Sequence, residues 1–289
     1  MGQRELKKAG ERGAEQSAAL TSPFTDAHAI VFADFGLSVR KSFTKRQLAD
    51  LREAISGALP QTIFRPISKE SCGGEDGLRF GFERLAPGDG SEVIEELHVH
   101  ASHVHLMFHE YRGWATTRIN ALERLAPILK VFQKGSFGDA RLILAYRDAF
   151  VNKQPERYSA LDVFKPNKFL PMMVIEAGEF WHQQLTLVEE AGPKESWERI
   201  FSRLTIEARV RSEEVEDEGE SEDRFVHWTE ITHRQQLAGN SKAKPAVEWA
   251  VETVGSRLDA MHSKNKAVIL ELLSHEMAGR IGLMENVDG

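Results

Sequence analysis

The sequence predicts an α+β protein, mainly antiparallel sheet in two halves with packed helices and a long C-terminal helical region. Three observations carry this. Strand-type stretches are separated by short turns rich in Gly and Pro, as antiparallel neighbours require. Two helix-period segments interrupt the first half. From residue 245 to about 283, apolar residues recur in steps of four and three. With 289 residues, 41% apolar and 28% charged, the composition is globular and excludes a collagen-like or wholly disordered chain. No window approaches the ~18 consecutive apolar residues of a membrane span.

Taken in order, residues 1–23 carry no apolar stripe and are expected to form a disordered arm. Residues 24–155 form an N-terminal α+β half and 156–289 a C-terminal β-rich half ending in helices. Residues 28–39 are β-rich. Thr44 and Gln47 then form a capping box, with Phe43 and Leu48 as a hydrophobic staple, and the helix they open shows Leu48, Leu51, Ile55 and Leu59 on one face before Pro60 ends it. Strands follow at 62–67 and 78–85, a hairpin at 93–111, a helix at 116–132 that Pro127 would kink, and a strand at 141–150. In the second half, strands are expected at 171–189, 199–211 and 225–237. The C-terminal seam runs Val247, Val251, Val254, Leu258, Met261, Asn265, Val268 and Leu272. It either lies across the sheet, with a break near 263–266, or meets a second copy. Asn265 suits a register-setting pair or a bend.

The net charge of −7 is local: eight acids and no base lie between Glu213 and Asp223, so the remainder carries +1. That run is expected to be a solvated hairpin loop, and the absence of a basic excess makes nucleic acid an unlikely partner. Cys72 is the only cysteine, which excludes an intramolecular disulfide and a thiolate cage. The N-terminus lacks the apolar core of an export signal, so the chain is expected in the cytoplasm.

Candidate chemistry is sparse. Five histidines fall between Leu97 and His109. The apolar parity switches from odd (Leu97, Val99) to even (Val104, Leu106, Phe108), so the chain must fold back near 101–103. A two-residue turn at Ala101-Ser102 opposes His98 to His105; a four-residue turn opposes His100 to His105. The longer turn is favoured, because Ala-Ser lacks the positive-φ preference of a tight turn. Either way His98, His100 and His105 share one face and form the candidate divalent-metal set, with His227, His233 or Asp148 as further ligands from elsewhere. Protonation across such a hairpin predicts acid sensitivity. No nucleophile elbow, phosphate-binding loop or HExxH motif occurs. Tyr111, Arg112 and Trp114, with Tyr146 and Asp148 on the 141–150 strand, are the candidate binding residues.

Arg141-Leu142-Ile143-Leu144-Ala145-Tyr146-Arg147-Asp148, preceded by Tyr111-Arg112-Gly113-Trp114 and followed by Leu258 to His262 and 268–277, resembles a sporadically distributed family of uncharacterised bacterial proteins. That family carries an R-L-x-L-x-Y-x-N strand motif. Where it has Arg before the Tyr and Asn two residues after, this chain has Ala145 and Asp148. The resemblance implies no established activity, only an association with mobile-element or defence genes.

The leading reading is therefore a non-enzymatic cytoplasmic binding or interaction protein. It has no cofactor, and its partner is another protein or a second copy docked on the C-terminal helix. The alternative is a metal-dependent hydrolase or metal-regulated protein using the histidine hairpin. A third reading is single-stranded nucleic-acid stacking on Tyr111, Arg112 and Trp114.

Overall fold

A computed structural model describes residues 21–284, apart from 26–27, 61, 68–76, 89, 136, 138–139, 191–198, 218–219 and 239–248. Its centre is one ten-stranded antiparallel sheet. The strands are β1 (Thr21–Pro23), β2 (Ile30–Ser38), β3 (Phe64–Pro66), β4 (Leu78–Leu85), β5 (Val93–His100), β6 (His103–Phe108), β7 (Arg141–Asn152), β8 (Trp181–Glu190), β9 (Arg199–Asp217) and β10 (Glu220–Ala238). They lie in the order β3-β4-β5-β6-β2-β7-β10-β9-β8, with β1 paired to the end of β7. The two halves are therefore one sheet: β7 meets β2 on one side and β10 on the other, from Arg141↔Ala238 to Asn152↔His227.

Parity along each strand decides which face the helices cover. Ala33, Phe35 and Leu37 of β2, Val104, Leu106 and Phe108 of β6, and Leu142, Leu144 and Tyr146 of β7 are buried in one core cluster. Over them lie α1 (Lys45–Ala58), α2 (Trp114–Lys134) and the N-terminal part of α4 (Val251–Leu272), through Leu51, Ile55, Leu125, Ile128, Leu258 and Met261. A second cluster joins Ile206 and Ile231 to Val163, Phe164, Ile269 and Leu272. It also includes residues of α3 (Met172–Ile175) and α5 (His275–Arg280). The intervening residues of each strand form the other, helix-free face. Thr44 and Gln47 make the expected capping box of α1. α2 begins behind Gly113, whose φ of 83° favours glycine. α4 approaches α2 at Gly255, where an added Cβ would sit 2.8 Å from the Arg118 guanidinium.

The structure corrects several expectations. Thr21–Pro23, placed in the disordered arm, form β1 by pairing with β7; residues 1–20 of that arm lie outside the described residues, as does Cys72. Residues 171–180 are not strand: Met172–Ile175 form a helical turn and β8 starts at Trp181. The acidic run is not a wide loop, since β9 and β10 stay paired to Asp217↔Glu220.

The long C-terminal helical region is also not found. α4 has 22 residues, without a break at 263–266, and stops at Leu273, which bridges to Phe164; α5 adds only six residues. The seam residues Val254, Leu258, Met261, Asn265, Val268 and Leu272 are buried within the chain. No helix among the described residues is long and apolar enough to cross a membrane.

Candidate functional site

On the helix-covered face, where the two core clusters adjoin, α4 crosses β7 and leaves a pocket of about 330 Å³. It is lined by His28, Ile30, Tyr111, Trp114, Asp148, His262, Asn265 and Lys266, with Ile269, Ile281 and Leu283 among its apolar walls. The Gly113 turn carries Trp114 to the start of α2. There its indole Nε1–H donates to Asp259 of α4 at 2.9 Å and its ring stacks on His262 at 4.1 Å. Phe35 stacks on the indole at 6.0 Å. The hydroxyl of Tyr146, buried midway along β7, shares a 3.0 Å hydrogen bond with Nδ1 of His262. Tyr111 stands edge-on to both Tyr146 and His28. One layer behind, His233 donates from Nδ1 to the Asn265 amide oxygen at 2.7 Å, both residues being buried. Thus the one polar residue in the seam neither sets a register between helices nor bends α4; it satisfies a sheet histidine.

The pocket holds strongly perturbed groups, the usual mark of a functional site. Asp148 is 4% exposed, and burial pushes its carboxyl up to about 7. Burial, followed by the nearby Asp148, raises the Tyr111 phenol; burial likewise raises Tyr146. Burial, then the Lys266 cation, lowers His262 to about 4 against an opposing pull from Asp259, so its imidazole is neutral at pH 7. His28 donates from Nε2–H to the Tyr111 carbonyl at 2.8 Å. In the neutral ring this bond leaves Nδ1 as the acceptor. Two buried polar atoms of pocket-lining residues have no hydrogen-bond partner among the described residues: Nδ1 of His28 and Oδ2 of Asp148.

A wider groove of about 600 Å³ lies beside α1, β3 and β4, lined by Arg52, Arg65, Arg79 and apolar residues. These arginines are exposed, and the groove contains no buried ionisable group, so the smaller pocket is the better site.

The histidine hairpin occupies the opposite, helix-free face. Its turn is the short one: Val99 pairs with Val104 and His98 with His105, against the expectation of a longer loop. Tertiary bonds hold it, because the Ala101 and Ser102 carbonyls accept from Phe43 N–H at 2.7 Å and Val39 N–H at 2.8 Å. His105 donates from Nδ1 to Asp34 at 2.8 Å, and His109 and His98 reach Glu96 at 3.0 and 3.7 Å. Those two histidines, His109 foremost, hold Glu96 at about 2. His100 and His103 stack at 4.4 Å, and burial with His105, His100 and Arg234 nearby lowers His103 to about 4. Among the described residues no group of three or more His, Cys, Asp or Glu is placed to hold a metal. His227, His233 and Asp148 cannot join His98, His100 and His105, because strand parity puts them on the other face.

Of the five candidate binding residues, Tyr111, Trp114, Tyr146 and Asp148 converge at the pocket and Arg112 does not. Its guanidinium is exposed and doubly bonded to Glu110 at 2.8 and 2.7 Å. Tyr111 and Trp114 turn inward, leaving no stacking platform with Arg112. Sequence patterns assign no chemical role to His28, His262 or Lys266; their traces are a polar Asn265 within an apolar seam and the 258–262 segment of the resemblance, which ends at His262. No protein-family model, curated protein or solved structure matches the chain.

Proposed function

We propose that this chain is a non-enzymatic binding protein that takes a small polar molecule into the pocket between α4 and β7. One observation carries the reading: a buried carboxylate oxygen, Oδ2 of Asp148, lines an aromatic and apolar pocket and has no hydrogen-bond partner among the described residues. A buried acceptor left unpaired costs about 1–3 kcal/mol, and a ligand donor removes that cost. The volume of about 330 Å³ lies at the small end of ligand pockets. Because the walls come from β2, β7, α2 and α4, occupancy would tie the two halves together and present a liganded surface to a protein partner in the cytoplasm. That partner, and a link to mobile-element or defence genes, belong to the same proposal. A homodimer contact on α4 would use outward residues such as Glu252, Ser256 and Ser263, which are exposed.

The test is a thermal-shift screen of small polar compounds against the native chain and Asp148→Asn, with mass spectrometry of the recovered compounds. A compound at 100 times its Kd stabilises by about 2.7 kcal/mol, a shift of several degrees. Hits that depend on Asp148 and are recovered unchanged support the reading. Hits indifferent to Asp148 overturn the site, and chemically altered hits overturn the non-enzymatic assignment.

A further inference from the structure

The pocket also indicates the class of ligand, and this step rests on the binding reading above. Its two unpartnered buried atoms are the Asp148 oxygen, an acceptor once the carboxyl is ionised, and the His28 ring nitrogen, an acceptor in the neutral ring whose Nε2–H is committed to the Tyr111 carbonyl. None of the lining residues leaves a buried donor without a partner among the described residues. Three other polar side chains of the lining are engaged with the protein, Trp114 donating to Asp259. His262 meets Tyr146 through Nδ1, and Asn265 accepts from His233. The walls are Tyr111, Ile30, Ile269 and Leu283, and the one Lys or Arg among the described lining residues is Lys266, half-buried on α4. An anion would meet two bare acceptors and gain only that lysine. An alcohol has a single proton for two acceptors.

We infer that the pocket binds a small primary ammonium compound with an apolar body, its N–H groups donating to Asp148 and His28. The three N–H donors of an alkylammonium match both acceptors with one to spare, and its charge favours the ionised carboxylate as a charge-assisted pair. The Tyr111 ring adds a face for the cation.

The charge on the ligand gives a signature that a neutral guest lacks. The groups around Asp148 are His28 from the chain before β2, Tyr111 before α2, Tyr146 on β7 itself, and His262 and Lys266 on α4. With His262 neutral and both phenols protonated near pH 7, Asp148 is the group that must shed a proton for the pair to form. Cation binding therefore tightens as pH rises from 6 to 8, by roughly tenfold, the rise in the ionised fraction of a carboxyl that titrates near 7.

Isothermal titration calorimetry of the full chain with primary amines from propylamine to phenethylamine, and with alcohols of the same skeletons, tests this. The amines should bind at least tenfold tighter than the alcohols at pH 8. At pH 6 they should release a proton, visible as a dependence of the measured heat on the buffer. Asp148→Asn should bring the amines down to the level of the alcohols, and Lys266→Gln, a half-buried side chain whose loss leaves the core intact, should tighten the amines alone severalfold. If alcohols bind as well as amines, or amine binding ignores pH and both substitutions, the ammonium assignment fails while the pocket stands as a ligand site. If neither series binds and the broader screen finds no Asp148-dependent hit, both readings fail together.

Discussion

The two faces of the sheet handle ionisable side chains in opposite ways. On the helix-free face the hairpin histidines lie within a few residues of one another in sequence and find partners nearby. His105 bonds Asp34, His109 bonds Glu96 and His100 stacks on His103; His98 Nε2 makes no hydrogen bond among the described residues but lies 3.7 Å from the same Glu96 carboxylate. On the helix-covered face Asp148, Tyr146, Tyr111, His28 and His262 come from distant parts of the chain, and two of their buried atoms lack hydrogen-bond partners among the described residues. A cluster that neutralises its own charges is a structural device. One that leaves acceptors unpaired in a cavity is arranged for something outside the chain.

The largest test of that contrast is Asp148→Asn. The native carboxyl holds its proton up to about pH 7, whereas in the unfolded chain it titrates near 3.8. Between those values the folded state binds more protons, so stability falls as pH rises through the window and the loss is complete above it. The shift of about three units corresponds to about 4 kcal/mol for this fully buried group. The variant should therefore be more stable than the native chain at pH 8 by up to about 4 kcal/mol, and nearly equal to it at pH 4. Urea denaturation at the two pH values decides, and an unchanged difference between them would refute the buried-carboxyl account.

The next effect concerns the support behind the pocket. Asn265→Leu strands the His233 Nδ1–H in the core and should cost about 2 kcal/mol in unfolding free energy, measured by denaturation at pH 7. A neutral result would mean that His233 finds another acceptor and that α4 does not depend on this bond.

How much of this was legible in the sequence follows from the same contrast. The α+β class, the hairpin parity and the capping box are local patterns, and they hold. Tyr111, Trp114, Tyr146 and Asp148 stood out because each sits in a short motif, but their convergence depends on α4 crossing β7, and the Tyr146–His262 bond spans 116 residues. No spacing rule reports such a crossing. The short turn at Ala101-Ser102 was misjudged because its stabilising donors, Val39 and Phe43, belong to another element. The length of the final helix was overestimated because Leu273 leaves the helix to bridge Phe164, a tertiary event invisible in periodicity.

On the hairpin side the pH dependence has the opposite sign. His103 titrates at about 4 in the folded chain and near 6.5 when unfolded. The unfolded state takes up the proton first as pH falls, so stability is complete above pH 6.5 and declines towards 4. His103→Asn should flatten the drop in thermal midpoint between pH 7 and 5 without abolishing it, because His262 behaves alike. Identical slopes for the two proteins would show that the hairpin contributes nothing to acid sensitivity.

The smallest effect sharpens the comparison most directly. Arg112 was singled out by sequence alongside Tyr111 and Trp114, yet it lies at the surface in an ion pair with Glu110, while its two companions face the pocket. Exposed pairs of this kind contribute about 0–1 kcal/mol and are screened by salt. Arg112→Ala should therefore shift unfolding by no more than about 0.5 kcal/mol and leave amine titrations unchanged. Tyr111→Leu, one residue earlier, removes the ring that stands edge-on to Tyr146 and His28 and should weaken them severalfold. Were Arg112→Ala to weaken binding as much as Tyr111→Leu, the ligand would have to reach past the pocket mouth to the surface guanidinium, and the division between a charge-paired exterior and a pocket lined by unpaired acceptors would no longer locate the site.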